Sequence, residues 1–119
     1  YLKTRQQFGQ PIGRFQALQH RAADMVLHLE QSRSMSYLAA LRCTLADKNA
    51  RRAALSAAKV VVNQGGRFIG QQSVQLHGGM GMTDELQVSH WFKRLVALEA
   101  AFGDTDTHLQ RFAQLRAAA

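Results

Sequence analysis

The sequence predicts an all-α protein, an antiparallel up-down helical bundle of the four-helix type, and three observations support this. Proline occurs once in 119 residues, at Pro11, and most glycines fall within residues 9–13, 65–70 and 78–81, leaving long segments without breakers. Along those segments small and apolar residues recur at three- and four-residue spacing, the period of one helix face. No internal repeat and no credible pair of strands competes with that reading. At 46% hydrophobic residues the chain has apolar material for one small core.

The first long helix is expected from Gly13 to about Leu45. Leu18, Ala22, Met25, Leu29, Ser32, Ser36 and Ala39 form its inward stripe, with Arg21, Asp24, His28, Gln31 and Arg42 on the other face. Thr44 to Asp47 supply turn and capping side chains. A second helix, about Asn49 to Leu76, carries Ala54, Ala58, Val61, Gly65, Phe68 and Gln72 on one stripe. Val60-Val61-Val62 is read as helix because helical spacing continues on both sides of it. Gly65-Gly66 costs roughly 1 kcal/mol per residue relative to Ala, which implies a close contact or a kink. His77-Gly-Gly-Met-Gly81 ends this helix, and Thr83 is expected to cap the next, with Asp84 and Glu85 at the positive end of its dipole. Val88, Trp91, Leu95, Leu98 and Phe102 make the third stripe, which Gly103 stops. Asp104 to Asp106 then cap a last helix with Leu109, Phe112 and Leu115 facing inward. Tyr1 to Gln7 read as the tail of an earlier helix, so the bundle's first helix is expected to be largely missing and residues 1–119 to be one domain of a longer chain.

The formal charge of +7 implies attraction to anions. Cationic residues are scattered and not interleaved with aromatics, which disfavours nucleic acid as the partner. Cys43 cannot pair within the chain and lies among Leu38, Ala39, Leu41 and Leu45, so a reduced, buried thiol is expected. No apolar run reaches the roughly 20 residues of a membrane span, and the N-terminus lacks a signal-peptide core; the reading is cytoplasmic. His20, His28, His77, His90 and His108 show no metal-type pairing, so no metal is expected.

Two stretches carry chemistry. In the first, Arg5 offers a planar fork of donors suited to phosphate, Phe8 a flat apolar face, and Gly9, Pro11 and Gly13 fix the connector between them. That set suits a phosphorylated aromatic ligand, although a solvated arginine beside a core phenylalanine would show the same residues. In the second, Gly78 and Gly79 leave a backbone without Cβ atoms, which serves a tight turn as well as a ligand's approach.

Taken together, Tyr1-x-x-x-Arg5-x-x-Phe8-Gly9-x-Pro11-Ile12-x-x-Phe15-Gln16-x-x-Gln19-x-x-x-Ala23-Asp24-Met25 and Gln75-Leu-His-Gly-Gly-Met-Gly81 resemble the C-terminal helical domain of acyl-CoA dehydrogenases. The resemblance covers essentially the whole chain but only the last of that family's three domains. It implies FAD held across a subunit interface, with Arg5 on phosphate, Phe8 packed against the cofactor, Gln16 hydrogen-bonded to it, and Gln75, Gly78 and Gly79 forming a second contact segment. It also implies an acyl-CoA substrate desaturated between its α and β carbons, an electron-transfer partner, and a homo-oligomer or a heteromeric dehydrogenase partner.

The family's usual catalytic base is a glutamate just before the glycine that ends the third helix, and here that position is Phe102. Phe102 cannot accept a proton, and its spacing lets packing explain it. The turn after it, Asp104-Thr-Asp106, also departs from the family pattern. The catalytic residue is therefore unassigned, with three openings. The base stands on a helix upstream of Tyr1, or the parent is a non-catalytic subunit of a heteromeric dehydrogenase, or Glu99 substitutes from nearly one turn earlier. Glu99 is the least of these, since it also reads as a partially exposed acid near Lys93 or Arg94. Alone, the chain is expected to be inactive. A stand-alone basic helical interaction module is the reading from another class.

Overall fold

A computed structural model describes residues 1–117, and four helices carry the chain: α1 (Gln16–Arg42), α2 (Lys48–His77), α3 (Gln87–Ala100) and α4 (Thr105–Ala117). The all-α class holds. At 30 residues α2 is about 45 Å long, and it is the hub: α1, α3 and α4 each pack along it far more than on one another. α1 runs antiparallel to α2, with His28 against Phe68 and Arg21 against Gln72. The 43–47 turn brings the chain back, and Asp47 caps α2 by accepting from the N–H groups of Asn49 and Ala50. α1 and α2 approach closely at Gly65, for a Cβ there would collide with the Ser32 hydroxyl and lie 3.2 Å from the His28 carbonyl.

On the other side, α3 lies along the C-terminal half of α2 and α4 continues in the same direction along the N-terminal half. The contacts descend α2 as they ascend the chain: Gly70 meets Phe92, Asn63 meets Glu99, and Ser56 meets His108. α3 and α4 thus act as one rod broken at residues 101–104, which helps stretch the molecule to 59 × 27 × 22 Å. The core is thin. Ala58 and Val88 are its only buried hydrophobic side chains among the described residues, joined by buried Ser56, Asn63, Ser89, Glu99 and His108.

Several expectations from sequence are corrected. α1 starts at Gln16 because residues 12–14 form a 3-10 turn, and its inward line is Leu18, Ala22, Met25, His28, Ser32 and Met35, with Leu29 and Ser36 exposed. Two short strands do pair: β1 (Gln6–Gln7) and β2 (Gln10–Pro11), antiparallel, joined by Phe8 and Gly9 at φ +54° and +76°. Two central residues with positive φ match the twist of a tight hairpin. Cys43 is exposed, because α1 ends at Arg42 and the thiol turns back to donate to the Ala40 carbonyl. Thr83 does not cap α3. Its hydroxyl donates to Met80 O across the 78–82 turn, and α3 begins at Gln87 with no side-chain cap. The inward line of α3 is Val88, Phe92, Leu95 and Glu99, while Trp91 and Leu98 are exposed. On α4 His108 is buried and Leu109 is exposed.

Candidate functional site

The residues before α1 form a scaffold of backbone hydrogen bonds. Arg5 N–H donates to Tyr1 O at 2.8 Å, Ile12 N–H to Arg5 O at 2.9 Å and Gly13 N–H to Leu2 O at 2.8 Å. Gln19 on α1 adds a donor to Gly13 O at 3.0 Å. The hairpin is thereby folded back over the start of α1, and Arg5 is placed beside the far end of α2. There α2 ends at His77, and Gly78 turns the chain with φ +60° and ψ −143°, a conformation that L side chains rarely adopt.

Between these elements lies a groove of about 730 Å³ lined by Arg5, Arg21, Gln75, His77, Gly78, Gly79 and neighbours from the 1–18 segment and the 80–83 turn. Arg5 and the Gln75–Gly79 segment, some 70 positions apart in sequence, face one space. Ideal Cβ atoms at Gly78 and Gly79 would meet nothing within 4 Å, so the backbone there is unobstructed. No aspartate or glutamate lines the groove. Phe8 and Gln16 stand outside it: Phe8 is at the hairpin tip, 90% exposed and edge-to-face with Phe15 at 5.9 Å, and Gln16 is the exposed first residue of α1. Arg21 is the residue that sequence reading passed over. It stands three positions after Leu18 on the flank of α1 that faces α2, and its Nη1 donates to Gln72 Oε1 at 3.3 Å. His77 Nδ1–H donates to Ser73 O at 2.7 Å, since a carbonyl can only accept, and its ring lies 4.6 Å from that of Tyr1.

The α3–α4 turn holds the other two singled-out residues, and both differ from expectation. Glu99 is not exposed, and the cation that pairs with it is Arg67 on α2. The glutamate is buried, with Oε1 accepting from Arg67 Nη2 at 2.7 Å and Oε2 from Arg67 Nε at 2.9 Å. Thr105 Oγ1 donates to Oε1 at 3.2 Å. Three helices meet at this carboxylate, with Arg67 on α2, Glu99 on α3 and Thr105 on α4. Phe102 does not continue the α3 stripe. The helix has ended at Ala100, Phe102 has φ +61°, and its ring is 98% exposed. His108 Nε2 donates to the Phe102 carbonyl at 3.1 Å, and its Nδ1 lies 3.2 Å from Ser56 Oγ. The hydroxyl and then the backbone N–H of Thr107 hydrogen-bond Asp104 and hold its carboxyl below the usual carboxylate range. A hydrogen bond and then the charge of Lys93 do the same for Asp84. Among the described residues no group of His, Cys, Asp and Glu could hold a metal ion, and no helix is long and apolar enough to cross a membrane.

The acyl-CoA dehydrogenase C-terminal domain family model matches residues 1–115. The chain belongs to the acyl-CoA dehydrogenase family. The acyl-CoA dehydrogenase IpdE2 of Mycolicibacterium smegmatis is 33% identical over 111 residues, which cover 93% of this chain and 33% of that protein. A structure described as a Tcur3481-Tcur3483 steroid ACAD G363A variant superposes with TM-score 0.92 at 30% identity, covering 99% of this chain and 32% of that one. An FAD complex of PigA superposes with TM-score 0.87 at 29% identity, covering 98% and 30%. This chain therefore spans about a third of the length of each of these three proteins.

Proposed function

We propose that this chain serves as the C-terminal domain of an FAD-dependent acyl-CoA dehydrogenase subunit, and that the groove between Arg5 and Gln75–Gly79 supplies contacts to the cofactor. The observation that carries this reading is the meeting of those two sequence-distant segments in one cationic groove without acids. The residues fit the group. Arg5 supplies planar, always-charged donors for a phosphate, Gln75 an amide, and Gly78 and Gly79 an unobstructed backbone. Phe8 and Gln16, exposed outside the groove, would extend the surface where a second subunit's flavin lies. When bound, FAD supplies the hydride acceptor for α,β-desaturation of an acyl-CoA; this chain's part is to bind and orient. An assembly in which the same domain also forms the subunit interface accounts for its unburied apolar faces. The isolated 119-residue chain is expected to be inactive and to purify without stoichiometric FAD. Absorbance at the flavin band checks this, and a tightly flavinated fragment would overturn the division of labour.

A second reading, favoured by the α3–α4 turn, is that the parent is the non-catalytic subunit of a heteromeric dehydrogenase. Phe102 stands where the family resemblance places the base, and the oxygens of Glu99 are engaged by Arg67 and Thr105. The two-part designation of the Tcur3481-Tcur3483 neighbour is in keeping with it. Assaying the full-length parent with an acyl-CoA, alone and with a co-expressed partner, separates the two. Turnover by the parent alone sinks the second reading.

A further inference from the structure

We propose that Arg21 is a second anion-binding residue of the groove, sharing with Arg5 the diphosphate that the family's cofactor carries. This rests on the reading of the groove as a cofactor surface and extends it to a residue that neither the sequence motifs nor the family match singles out. The two guanidinium groups come from separate elements, Arg5 from the segment before the hairpin and Arg21 from α1, and both line the same space. The ion pairs of the described residues are elsewhere: Arg33 with Glu30, Arg67 with Glu99 and Lys93 with Asp84. The partner of Arg21 is instead the neutral amide of Gln72, which orients the guanidinium without cancelling its charge. One hydrogen bond leaves four of five N–H donors for a ligand. With no carboxylate in the lining, the two charges have no competitor in the groove.

A diphosphate joined to adenosine is shared by FAD and by coenzyme A thioesters, so the test carries both. The full-length protein bearing this domain is stripped of cofactor, and binding of FAD, coenzyme A and FMN is measured by titration calorimetry at two ionic strengths. Arg21→Ala is expected to weaken the diphosphate ligand roughly ten- to hundredfold, as loss of charge-assisted hydrogen bonds does. FMN, which lacks the diphosphate, should change by less than about threefold. The salt dependence of the affected ligand should become shallower, a change that a purely structural role would not produce. Arg21→Gln, which keeps a hydrogen-bonding side chain but no charge, should lose as much, and Arg21→Lys should retain part of the affinity. A loss on the FAD arm or on the coenzyme A arm supports the assignment and names the source of the diphosphate. Unchanged affinity for both, in a protein that binds FAD and weakens on Arg5→Ala, overturns the role of Arg21 while leaving the proposed function intact. A wild-type protein that takes up no FAD overturns both.

Discussion

At the scale of single residues, Phe102 and Glu99 exchange the roles that spacing assigns them. A phenylalanine in the left-handed region is sterically disfavoured by about 1 kcal/mol, and a ring that is 98% exposed recovers nothing by packing. Phe102→Gly should therefore leave stability unchanged or raise it by up to about 1 kcal/mol in urea unfolding, less the extra chain entropy of glycine. A clear loss would mean that the ring has a partner within the chain. Glu99 behaves oppositely. Its carboxylate is buried and depends on Arg67, so Arg67→Ala should cost roughly 1–3 kcal/mol, toward the low end because the Arg67 side chain is 58% exposed and water reaches it. An unchanged urea midpoint would show that the pair is a surface ornament. Spacing could not distinguish these residues: Phe102 follows Leu98 by four positions and Glu99 follows Leu95 by four, and both are good helical intervals.

At the scale of elements, what matters is where each helix stops and which way it is rolled. Gly65 sits at a close approach of α1 and α2, and Ala there would gain about 1 kcal/mol of helix propensity but meet the Ser32 hydroxyl and the His28 carbonyl. Overpacking of roughly 1–3 kcal/mol should win, so Gly65→Ala is expected to lower the urea midpoint; a stabilised variant would refute the close crossing. The start of α4 depends on Asp104, whose carboxylate accepts from Thr107 N–H at 2.9 Å. Because its folded pKa is depressed, this cap contributes fully above the ordinary carboxylate range and is lost as pH falls through the lower folded value. Amide exchange at Thr107 and His108 should accelerate, relative to intrinsic rates, only in that acid window, and in Asp104→Ala the window should disappear. The existence of the helices was legible in the sequence because two long apolar periods and an Asp47 cap are local signals. The roll of α3 was not. Its sequence offers two competing stripes, and only contact with α2 at Gly70 and Asn63 chooses Val88-Phe92-Leu95-Glu99.

At the scale of the molecule, the accessible surface is 8354 Å², whereas a compact monomer of 13.2 kDa exposes about 6,400 Å². The excess of about 1,900 Å² is comparable to a specific protein interface. Part of it is a groove of about 360 Å³ between α1 and α2 lined almost wholly by apolar atoms, with Met25, Val26, Leu29 and Ile69 among its walls. Exposed Leu27, Tyr37, Leu41 and Trp91 add to the uncovered surface. In isolation the chain should therefore self-associate. Light scattering across a concentration series is expected to show mass rising above 13.2 kDa, and a monodisperse monomer at all concentrations would contradict it.

The sequence by itself determined the class, the two long helices, the glycine-marked break after His77 and the two motif segments, each taken singly, because each depends on residues close together in the chain. It named Arg5, Gln75, Gly78 and Gly79, and the tertiary structure brought them around one groove while leaving Phe8 and Gln16 outside it. Only the tertiary structure decided that Arg21 shares the groove, that Glu99 is locked to Arg67, and that Phe102 points into solvent. Those outcomes depend on how α1, α3 and the broken rod of α3 and α4 are rolled against α2. Helix roll is set by packing between residues about 20 to 50 positions apart, and the helical period alone leaves it open.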